Sequence, residues 1–347
     1  MKALTEEDLQ HLAIGCAVLG SGGGGNPDHE VLMAKHAVDQ HGPISLIELE
    51  ELKEDDFILP VGVIGAPLVA LEKLRSGREF LHIVELVEKS QGRKVTVFMP
   101  VEIGGANGFA AFSIATQLGL PVLNADLMGR AFPELQMTSC TVVNVPASPA
   151  FLADSLGNSV MIKARNAKEL ENIARHVTVS MGSSCAIAFC LMDSATAKRT
   201  VIPSTLTQAI EIGHAVSEAK KRGEEALKPL LEITGGAYLG RGTIVSVEQS
   251  VQNGFLQGNV HISGEEGTFK VFYQNEYLLV QKEGKSLACT PDILMLVEEA
   301  SGTPITAESL RYGLKVSVIA LPAPAIWKTE KGLKLVGPEC FGYKGGI

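Results

Sequence analysis

The sequence predicts an α+β chain in two parts, and three observations support this prediction. Its 347 residues are long for one ordinary domain and sufficient for two. Strand-like and helix-like stretches alternate over the first part of the chain, as they do in α/β domains. Short strands separated by Gly or Asn turns then follow one another, a pattern typical of antiparallel sheets. We therefore expect an α/β domain over 1–165 and an α+β domain over 166–347 that is β-rich from about residue 233.

The first helix and the loop after it have recognisable boundary signals. Thr5 can cap a helix in which apolar residues recur at helical spacing. This helix runs into a glycine-rich loop at residues 20–25. Asn26-Pro27 then provides a cap and a first helical residue for a second helix, which continues to about Gln40. The glycine-rich loop therefore precedes a helix N-terminus.

Beyond the second helix, near-continuous apolar strands alternate with helices, which indicates a mostly parallel sheet covered on both faces. The predicted strands of this part are Ile44–Leu49, Phe57–Ile64, Val95–Pro100, Val122–Asn124, Ser159–Ala164, Ala186–Met192 and Arg199–Ile202. The predicted helices are Glu79–Lys89, Gly108–Leu118, Ala167–Val179 and Thr205–Arg222. The strands predicted for the β-rich part are Thr243–Val251, Gly258–Ser263, Thr268–Tyr273 and Tyr277–Gln281, the last two joined at Asn275-Glu276.

Composition and charge exclude several classes of protein. A hydrophobic fraction of 46% excludes a disordered chain, and a net charge of −9 with 5% aromatic residues argues against a nucleic-acid partner. The start of the chain lacks an export signal, and the longest uncharged run, Phe57–Leu71, contains two prolines and is too short to span a membrane. The six cysteines show no CxxC pair and no regular spacing, and apolar neighbours such as Ala186–Ala188 indicate that most of them are reduced core residues. We expect a cytoplasmic protein and, because symmetric assemblies are common, a homo-oligomer.

The glycine-rich loop supplies the first candidate site residues. Gly22, Gly23, Gly24 and Gly25 can present backbone N–H groups at a helix N-terminus to a small-molecule substrate. The loop also fits the G-x-G-x-x-G pattern, but a helix precedes it where a dinucleotide site needs a strand. The Lys and Ser/Thr of a phosphate-binding loop are also missing, so a nucleotide-dependent enzyme ranks low. A tight connection between two helices is the structural alternative.

Two carboxylates follow successive predicted strands. Glu102 comes just after the strand that ends at Pro100, and Asp126 comes just after the next strand. Ligands of open α/β sheets bind outside the carboxyl ends of the strands. Paired carboxylates in different surroundings can hold a metal ion or divide acid and base roles. We predict that Glu102 and Asp126 are catalytic; a carboxylate that only faces water is the structural alternative for Glu102.

Polar neighbours of these carboxylates are candidate substrate-binding residues. Asn107 follows Glu102 across a glycine pair, and Arg130 lies four residues after Asp126, with Glu134 four residues further on. A spacing of four allows Asp126 and Arg130 to pair on one helical turn, which as a structural salt bridge is the alternative to a functional role. We predict that Asn107, Arg130 and Glu134 contribute to substrate binding.

Five segments together resemble a known family. These segments are Leu19–Pro27, Pro100–Asn107, Asp126–Glu134, Thr290–Ile293 and Gly337–Tyr343. They are similar to those of the S-methyl-thiohydantoin desulfurase-like family, whose domains also occur joined to hydantoinase/oxoprolinase proteins. The resemblance covers nearly the whole chain, with an α/β part followed by a β-rich part.

The resemblance implies hydrolysis of a thiohydantoin, a hydantoin or a related cyclic amide. It implies zinc or another divalent metal for some members, although no metal ligand of the family maps onto a residue here. Glu102 or Asp126 would then act as the base or hold a metal-bound water, while N–H groups of the glycine-rich loop bind a carbonyl or thiocarbonyl group. The alternative is a non-catalytic ligand-binding subunit, or a partner subunit of a hydantoinase-type assembly.

Overall fold

The N-terminal part of the protein is built on a nine-stranded sheet. The computed structural model describes residues 1–65, 69, 76–252 and 254–343. The strands up to residue 203 are β1 (Lys2–Ala3), β2 (Ser45–Ile47), β3 (Phe57–Gly65), β4 (Val97–Pro100), β5 (Val122–Leu123), β6 (Ala125–Asp126), β7 (Ala150–Ala153), β8 (Ser159–Ile162), β9 (Ser184–Ala188), β10 (Met192–Asp193) and β11 (Ile202–Pro203). The sheet has the order β1-β2-β5-β4-β3-β9-β7-β8, with β10 paired to β3, while β6 and β11 form a separate two-stranded sheet.

This sheet is mixed, so the prediction of a mostly parallel sheet is wrong. Strands β2, β5, β4 and β3 pair in parallel, as predicted from their alternation with helices. Strands β9, β7 and β8 extend the sheet with antiparallel pairs. A short turn joins β7 to β8 directly, and a tight turn of this kind can connect only antiparallel strands. The sheet also includes β9 and β10, which lie beyond residue 165, the predicted end of the first domain.

Helices cover the sheet and connect its strands. They are α1 (Glu6–Leu19), α2 (Asp28–His41), α3 (Glu79–Gln91), α4 (Phe112–Leu118), α5 (Ser139–Val142), α6 (Ala167–Ser180), α7 (Ser194–Thr200), α8 (Thr205–Lys221), α9 (Leu227–Thr234) and α10 (Glu330–Val336). Thr5 caps α1 in a capping box with Asp8, as the sequence indicates. The second helix begins at Asp28, one residue later than predicted, and the side chain of Asn26 accepts a hydrogen bond from the Asp28 amide. None of the described helices combines the length and apolar character needed to cross a membrane.

The C-terminal part is an antiparallel sheet of eight strands, which confirms the β-rich region. Its strands are β12 (Ala237–Gln252), β13 (Phe255–Gly264), β14 (Gly267–Gln274), β15 (Glu276–Lys282), β16 (Lys285–Cys289), β17 (Ile293–Glu298), β18 (Pro304–Ile305) and β19 (Lys315–Leu321). Their order is β16-β15-β14-β13-β12-β19-β17-β18. Asn275 forms the turn between β14 and β15 with a φ of 58°.

Two local predictions need correction. The first half of the predicted strand Arg199–Ile202 is the end of α7, and a strand begins only at Ile202. Asp193 caps α7 by accepting a hydrogen bond from the Thr196 amide. The predicted helix Gly108–Leu118 is divided into a 3-10 turn at Gly105–Phe109 and α4. In both places a local cap or turn changes the element that the apolar pattern favours.

One hydrophobic cluster joins the two parts of the chain. It contains Leu9 and Leu12 of α1 together with Val260 and Phe269 of the C-terminal sheet, all of them buried. A second cluster, which includes Leu123 and Trp327, packs on the other side of the N-terminal sheet. The two sheets therefore share a core along α1, directly before the glycine-rich loop.

Helices α1 and α8 cross at a contact that only glycine permits, and this gives a prediction about stability. A Cβ atom at Gly213 of α8 would lie 1.8 Å from the carbonyl oxygen of His11. We expect Gly213→Ala to lower the free energy of unfolding by about 1–3 kcal/mol, because overpacking outweighs the gain in helix propensity. Urea unfolding measures this change. Glu211→Ala, at an exposed position of the same helix, is the control, and equal stability of the two variants would contradict the contact.

Candidate functional site

The glycine-rich loop, residues 20–25, lies at the junction of the N-terminal and C-terminal domains. The carbonyl of Ser21 accepts a hydrogen bond from the amide of Tyr277 at 2.6 Å, and the carbonyl of Gly22 accepts one from Ala307 at 2.8 Å. The Ser21 hydroxyl donates to the carbonyl of Leu294 at 2.9 Å. All three partners belong to the C-terminal domain, so the loop attaches one domain to the other.

The glycines of this loop allow contacts that side chains would prevent. A Cβ atom at Gly23 would lie 2.0 Å from Oε1 of Glu276, and one at Gly24 would lie 2.5 Å from the carbonyl oxygen of Gly104. Close packing therefore accounts for these two glycines without a ligand. Binding of substrate by Gly22–Gly25 stays a prediction.

Glu102 is buried directly after β4, with a hydrogen bond to each carboxylate oxygen. The side-chain amide of Asn107 donates to Oε1 at 2.6 Å, and the backbone amide of Phe132 donates to Oε2 at 3.2 Å. Burial raises the pKa of Glu102 from 4.5 to about 7, although these two hydrogen bonds act in the opposite direction. The carboxyl group can therefore gain and lose a proton near neutral pH.

Asn107 fixes the orientation of Glu102. Its Oδ1 accepts a hydrogen bond from the amide of Val63 at 2.7 Å, and its Nδ2 lies 3.3 Å from the carbonyl oxygen of the same residue. The side chain thus connects β3 to the carboxylate that follows β4. Asn107 therefore orients Glu102, and its predicted part in substrate binding stays a prediction.

The structure brings Asp126 close to Glu102, as expected for the ends of neighbouring strands. Oδ2 of Asp126 accepts a hydrogen bond from the amide of Ile103 at 2.7 Å, and the amide of Gly129 lies 2.9 Å and 2.8 Å from its two oxygens. Burial raises the pKa of Asp126 to about 7 against these hydrogen bonds. Asp126 thereby holds together the two segments that carry Glu102 and Arg130.

Arg130 is fully buried and does not pair with Asp126 on a helical turn, because residues 127–130 form bends. Its Nε donates to the carbonyl of Ala131, and its Nη1 donates to the carbonyls of Pro291 and Asp292 at 2.8 Å each. The guanidinium group also stacks over the ring of Phe132 at 4.5 Å. Burial lowers the pKa of Arg130 to about 10, so the group keeps its charge at neutral pH. Arg130 therefore extends from the N-terminal domain to the C-terminal domain.

Glu276, the first residue of β15, is a buried carboxyl group that sequence reasoning missed. It is 3% exposed and contacts the glycine-rich loop at Gly23. Burial and the charge of Glu102 raise the pKa of Glu276 well above its ordinary value, while Arg130 acts against this rise. A glutamate beside an Asn turn reads as exposed, and only the docking of the two domains buries it.

Glu134 lies apart from these groups. Its carboxylate accepts hydrogen bonds from Gln136 and from Lys168 of α6. Within the described residues, no hydrogen bond connects it to Glu102 or Asp126. Its predicted part in substrate binding stays a prediction.

A cleft of about 670 Å³ opens beside the glycine-rich loop, between the first two helices and the C-terminal sheet. Asn26 and Pro27 line it from the end of the loop, and Thr306 and Arg311 line it from the C-terminal domain. The described lining residues do not include Glu102, Asp126, Arg130 or Glu276. The buried carboxyl groups therefore lie outside this cleft.

The donors in this region do not fit a divalent metal ion. In the part of the chain that the structure describes, no group of three or more His, Cys, Asp or Glu side chains is arranged to hold one. The oxygens of Glu102 and Asp126 instead accept hydrogen bonds from protein N–H groups.

Comparison with protein-family models gives matches over both domains. The model described as "S-Me-THD-like, N-terminal domain" matches residues 7–164, and the model described as "S-Me-THD-like, C-terminal domain" matches residues 165–346. No curated protein matches the chain. The two models together cover nearly the whole sequence, in the order that the five sequence segments suggest.

The fold is also similar to a solved structure. An X-ray crystal structure of a protein from Chromobacterium violaceum, a structural genomics target, superimposes with a TM-score of 0.84 and 25% sequence identity. The similarity covers 100% of this chain and 99% of that protein. The arrangement of both domains is therefore shared by the two proteins.

Proposed function

Because this chain belongs to the S-Me-THD-like family, we propose that it is an enzyme that hydrolyses a thiohydantoin, a hydantoin or a related cyclic amide. The observation that carries the proposal is the buried Glu102, whose pKa of about 7 suits a group that accepts a proton at neutral pH. Its position at the carboxyl end of β4 agrees with where open α/β sheets bind ligands.

The proposed step is the attack of water on the ring carbon that carries the sulfur or oxygen. Glu102 takes a proton from the water as the new C–O bond forms, and negative charge develops on the sulfur or oxygen of the former double bond. Arg130 is the nearby group suited to stabilise this charge, since it is buried and cationic. For a thiohydantoin, Glu102 gives this proton to the sulfur and then takes the proton of the new hydroxyl group, so that the C–O double bond forms as the C–S bond breaks. The departing HS⁻ takes that second proton, hydrogen sulfide is the product, and Glu102 is again deprotonated. For a hydantoin, the proton goes instead to the ring nitrogen as the C–N bond breaks.

Asp126 has a supporting part in this proposal. Its oxygens already accept hydrogen bonds from the amides of Ile103 and Gly129, so it is less available to a substrate than Glu102. Its negative charge raises the pKa of Glu102 further, beyond the effect of burial. Asp126 would thus keep Glu102 basic enough to act near neutral pH.

The test is an assay of sulfide release from 2-thiohydantoins with different substituents on the ring. Each reaction is run alone, with added zinc and with a chelator, because the resemblance implies a divalent metal whereas the described donors do not fit one. Sulfide release that the chelator does not reduce would support the proposal. Retained binding of the rings without sulfide release would contradict it, and would favour a ligand-binding or partner subunit of a hydantoinase-type assembly.

The pH dependence provides a second test. We expect kcat/KM for sulfide release to rise with pH through a midpoint near 7, because Glu102 accepts a proton only when it is deprotonated. The pKa of Asp126 is also about 7, so the midpoint belongs to the pair of carboxyl groups. Initial rates between about pH 5 and about pH 9 measure this profile. A midpoint near 4.5, the ordinary value for glutamate, would contradict the role of the buried group.

A further inference from the structure

Two buried polar atoms at the domain junction have no hydrogen-bond partner among the described residues. They are Oε2 of Glu276 and Nη2 of Arg130. Glu276 is 3% exposed and Arg130 is 0% exposed, so bulk water does not satisfy either atom. Buried polar atoms are nearly always paired, and an unpaired one in a native structure calls for a ligand, a water molecule or another explanation.

The two groups influence each other electrostatically, but no hydrogen bond or ion pair joins them in the described part of the chain. Glu276 is the largest electrostatic influence on Arg130, and Arg130 in turn lowers the pKa of Glu276. Among the residues that the structure describes, no ion pair within 4.0 Å includes Arg130. A hydrogen-bonding group that lies between them would satisfy both.

The free atoms also define the chemistry of that group. Nη2 of Arg130 can only donate, while Oε2 of Glu276 can accept, so together they complement an edge with an acceptor next to a donor. The C=O and N–H of a cyclic amide form such an edge, as do the C=S and N–H of a cyclic thioamide. Glu102 interacts electrostatically with both residues, so a ring held between them would lie near the proposed base.

We propose that Arg130 and Glu276 bind this edge of the ring, with the ring N–H donating to Glu276 and the ring oxygen or sulfur accepting from Arg130. The inference rests on the proposed function and adds the groups that recognise the substrate. The side chain of Arg130 and the backbone that carries Glu276 are held in place before a ligand arrives. Arg130 is held by the carbonyls of Pro291 and Asp292, and the strand that begins at Glu276 is held by the hydrogen bond between Tyr277 and Ser21.

The single tryptophan of the chain offers a direct readout of binding. Trp327 packs edge-on against Phe132 with ring centroids 5.1 Å apart, and Phe132 lies under the guanidinium of Arg130. The experiment is a fluorescence titration with hydantoin and with 1,3-dimethylhydantoin, which lacks both N–H groups. Hydantoin should bind the unmodified protein at least about 10-fold more tightly, the ratio typical of a lost hydrogen bond to a charged or buried partner.

Variants of Glu276 complete the test. Glu276→Leu should abolish the preference for hydantoin, whereas Glu276→Gln should keep it because an acceptor oxygen remains. Glu79→Gln is the control, since Glu79 is also 3% exposed and accepts a hydrogen bond from the amide of Ser76. Circular dichroism checks that each variant is folded. If Glu276→Leu does not fold, the affinities of the unmodified protein for hydantoin and for 1,3-dimethylhydantoin still test the inference.

The inference is overturned if the unmodified protein binds the two rings with equal affinity, or if it binds neither ring. A trapped water molecule would then be the partner of Oε2 of Glu276 and Nη2 of Arg130. A folded Glu276→Leu variant that keeps the preference would also overturn it. Sulfide release together with either result would leave the proposed function intact. Conversely, selective binding of hydantoin without sulfide release from any thiohydantoin would contradict the proposed hydrolysis while supporting this inference.

Discussion

Glu102→Gln is expected to reduce the rate of sulfide release by at least about 100-fold, the lower end of the effect of a general base. Glutamine keeps the size of the side chain but cannot accept a proton at neutral pH. The fold should tolerate the change, because the glutamine oxygen can still accept a hydrogen bond from Asn107 or Phe132. We expect the free energy of unfolding to change by only about 1 kcal/mol.

The measurement pairs steady-state kinetics with thermal unfolding of the same preparations. Glu79→Gln again serves as the control, because its buried carboxylate belongs to the start of α3 and takes no part in the proposed chemistry. A large loss of stability with normal activity per folded molecule would show that Glu102 is structural. Normal activity with normal stability would show that the carboxylate has no catalytic role.

The sequence was sufficient to place Glu102 and Asp126 near each other. Each follows an apolar strand of a βαβ pattern, and β4 and β5 are indeed parallel neighbours, so their carboxyl ends lie at the same edge of the sheet. Asn107 could be placed for the same reason, because only a short turn separates it from Glu102. These predictions needed only strand direction and short-range connectivity.

Glu276 and the contacts of Arg130 could not be predicted in this way. Glu276 follows Asn275 in a turn, where polar residues are ordinarily exposed, and it is buried only because β15 docks against a loop more than 250 residues earlier. Arg130 likewise reaches carbonyl groups at Pro291 and Asp292. Contacts between the two domains depend on how separate sheets pack, which local patterns do not encode.

The antiparallel half of the N-terminal sheet is a second feature that local sequence patterns could not predict. The strands β3 and β9 are both buried apolar runs, and such runs look alike in parallel and antiparallel sheets. Their direction depends on the hairpin between β7 and β8 and on the position of α6. The sequence therefore predicted β3 and β9 as strands but not their relative direction.

Gly24→Ala is expected to lower the free energy of unfolding by about 2–5 kcal/mol, the largest effect on stability predicted in the loop. Two costs add at this position. Gly24 has a φ of 73°, which strains any residue with a Cβ atom, and that atom would lie 2.5 Å from the backbone oxygen of Gly104. Backbone cannot move aside as the end of a side chain can, so relief requires the loop to separate from the segment that carries Glu102.

Gly25→Ala is the matched control for this prediction, because the neighbouring glycine has a similar φ of 80° but its nearest neighbour would be Cβ of Ala106 at 3.5 Å. That variant should show only the cost of backbone strain, about 1–2 kcal/mol. Urea unfolding of both variants separates the two costs, and the difference between them measures the close approach of the loop to Gly104. Equal losses for the two variants would mean that the contact at Gly24 contributes nothing. A much larger loss for Gly24→Ala, together with weaker binding of hydantoin, would mean that Gly24 serves the site by allowing the loop to pack against the segment that carries Glu102.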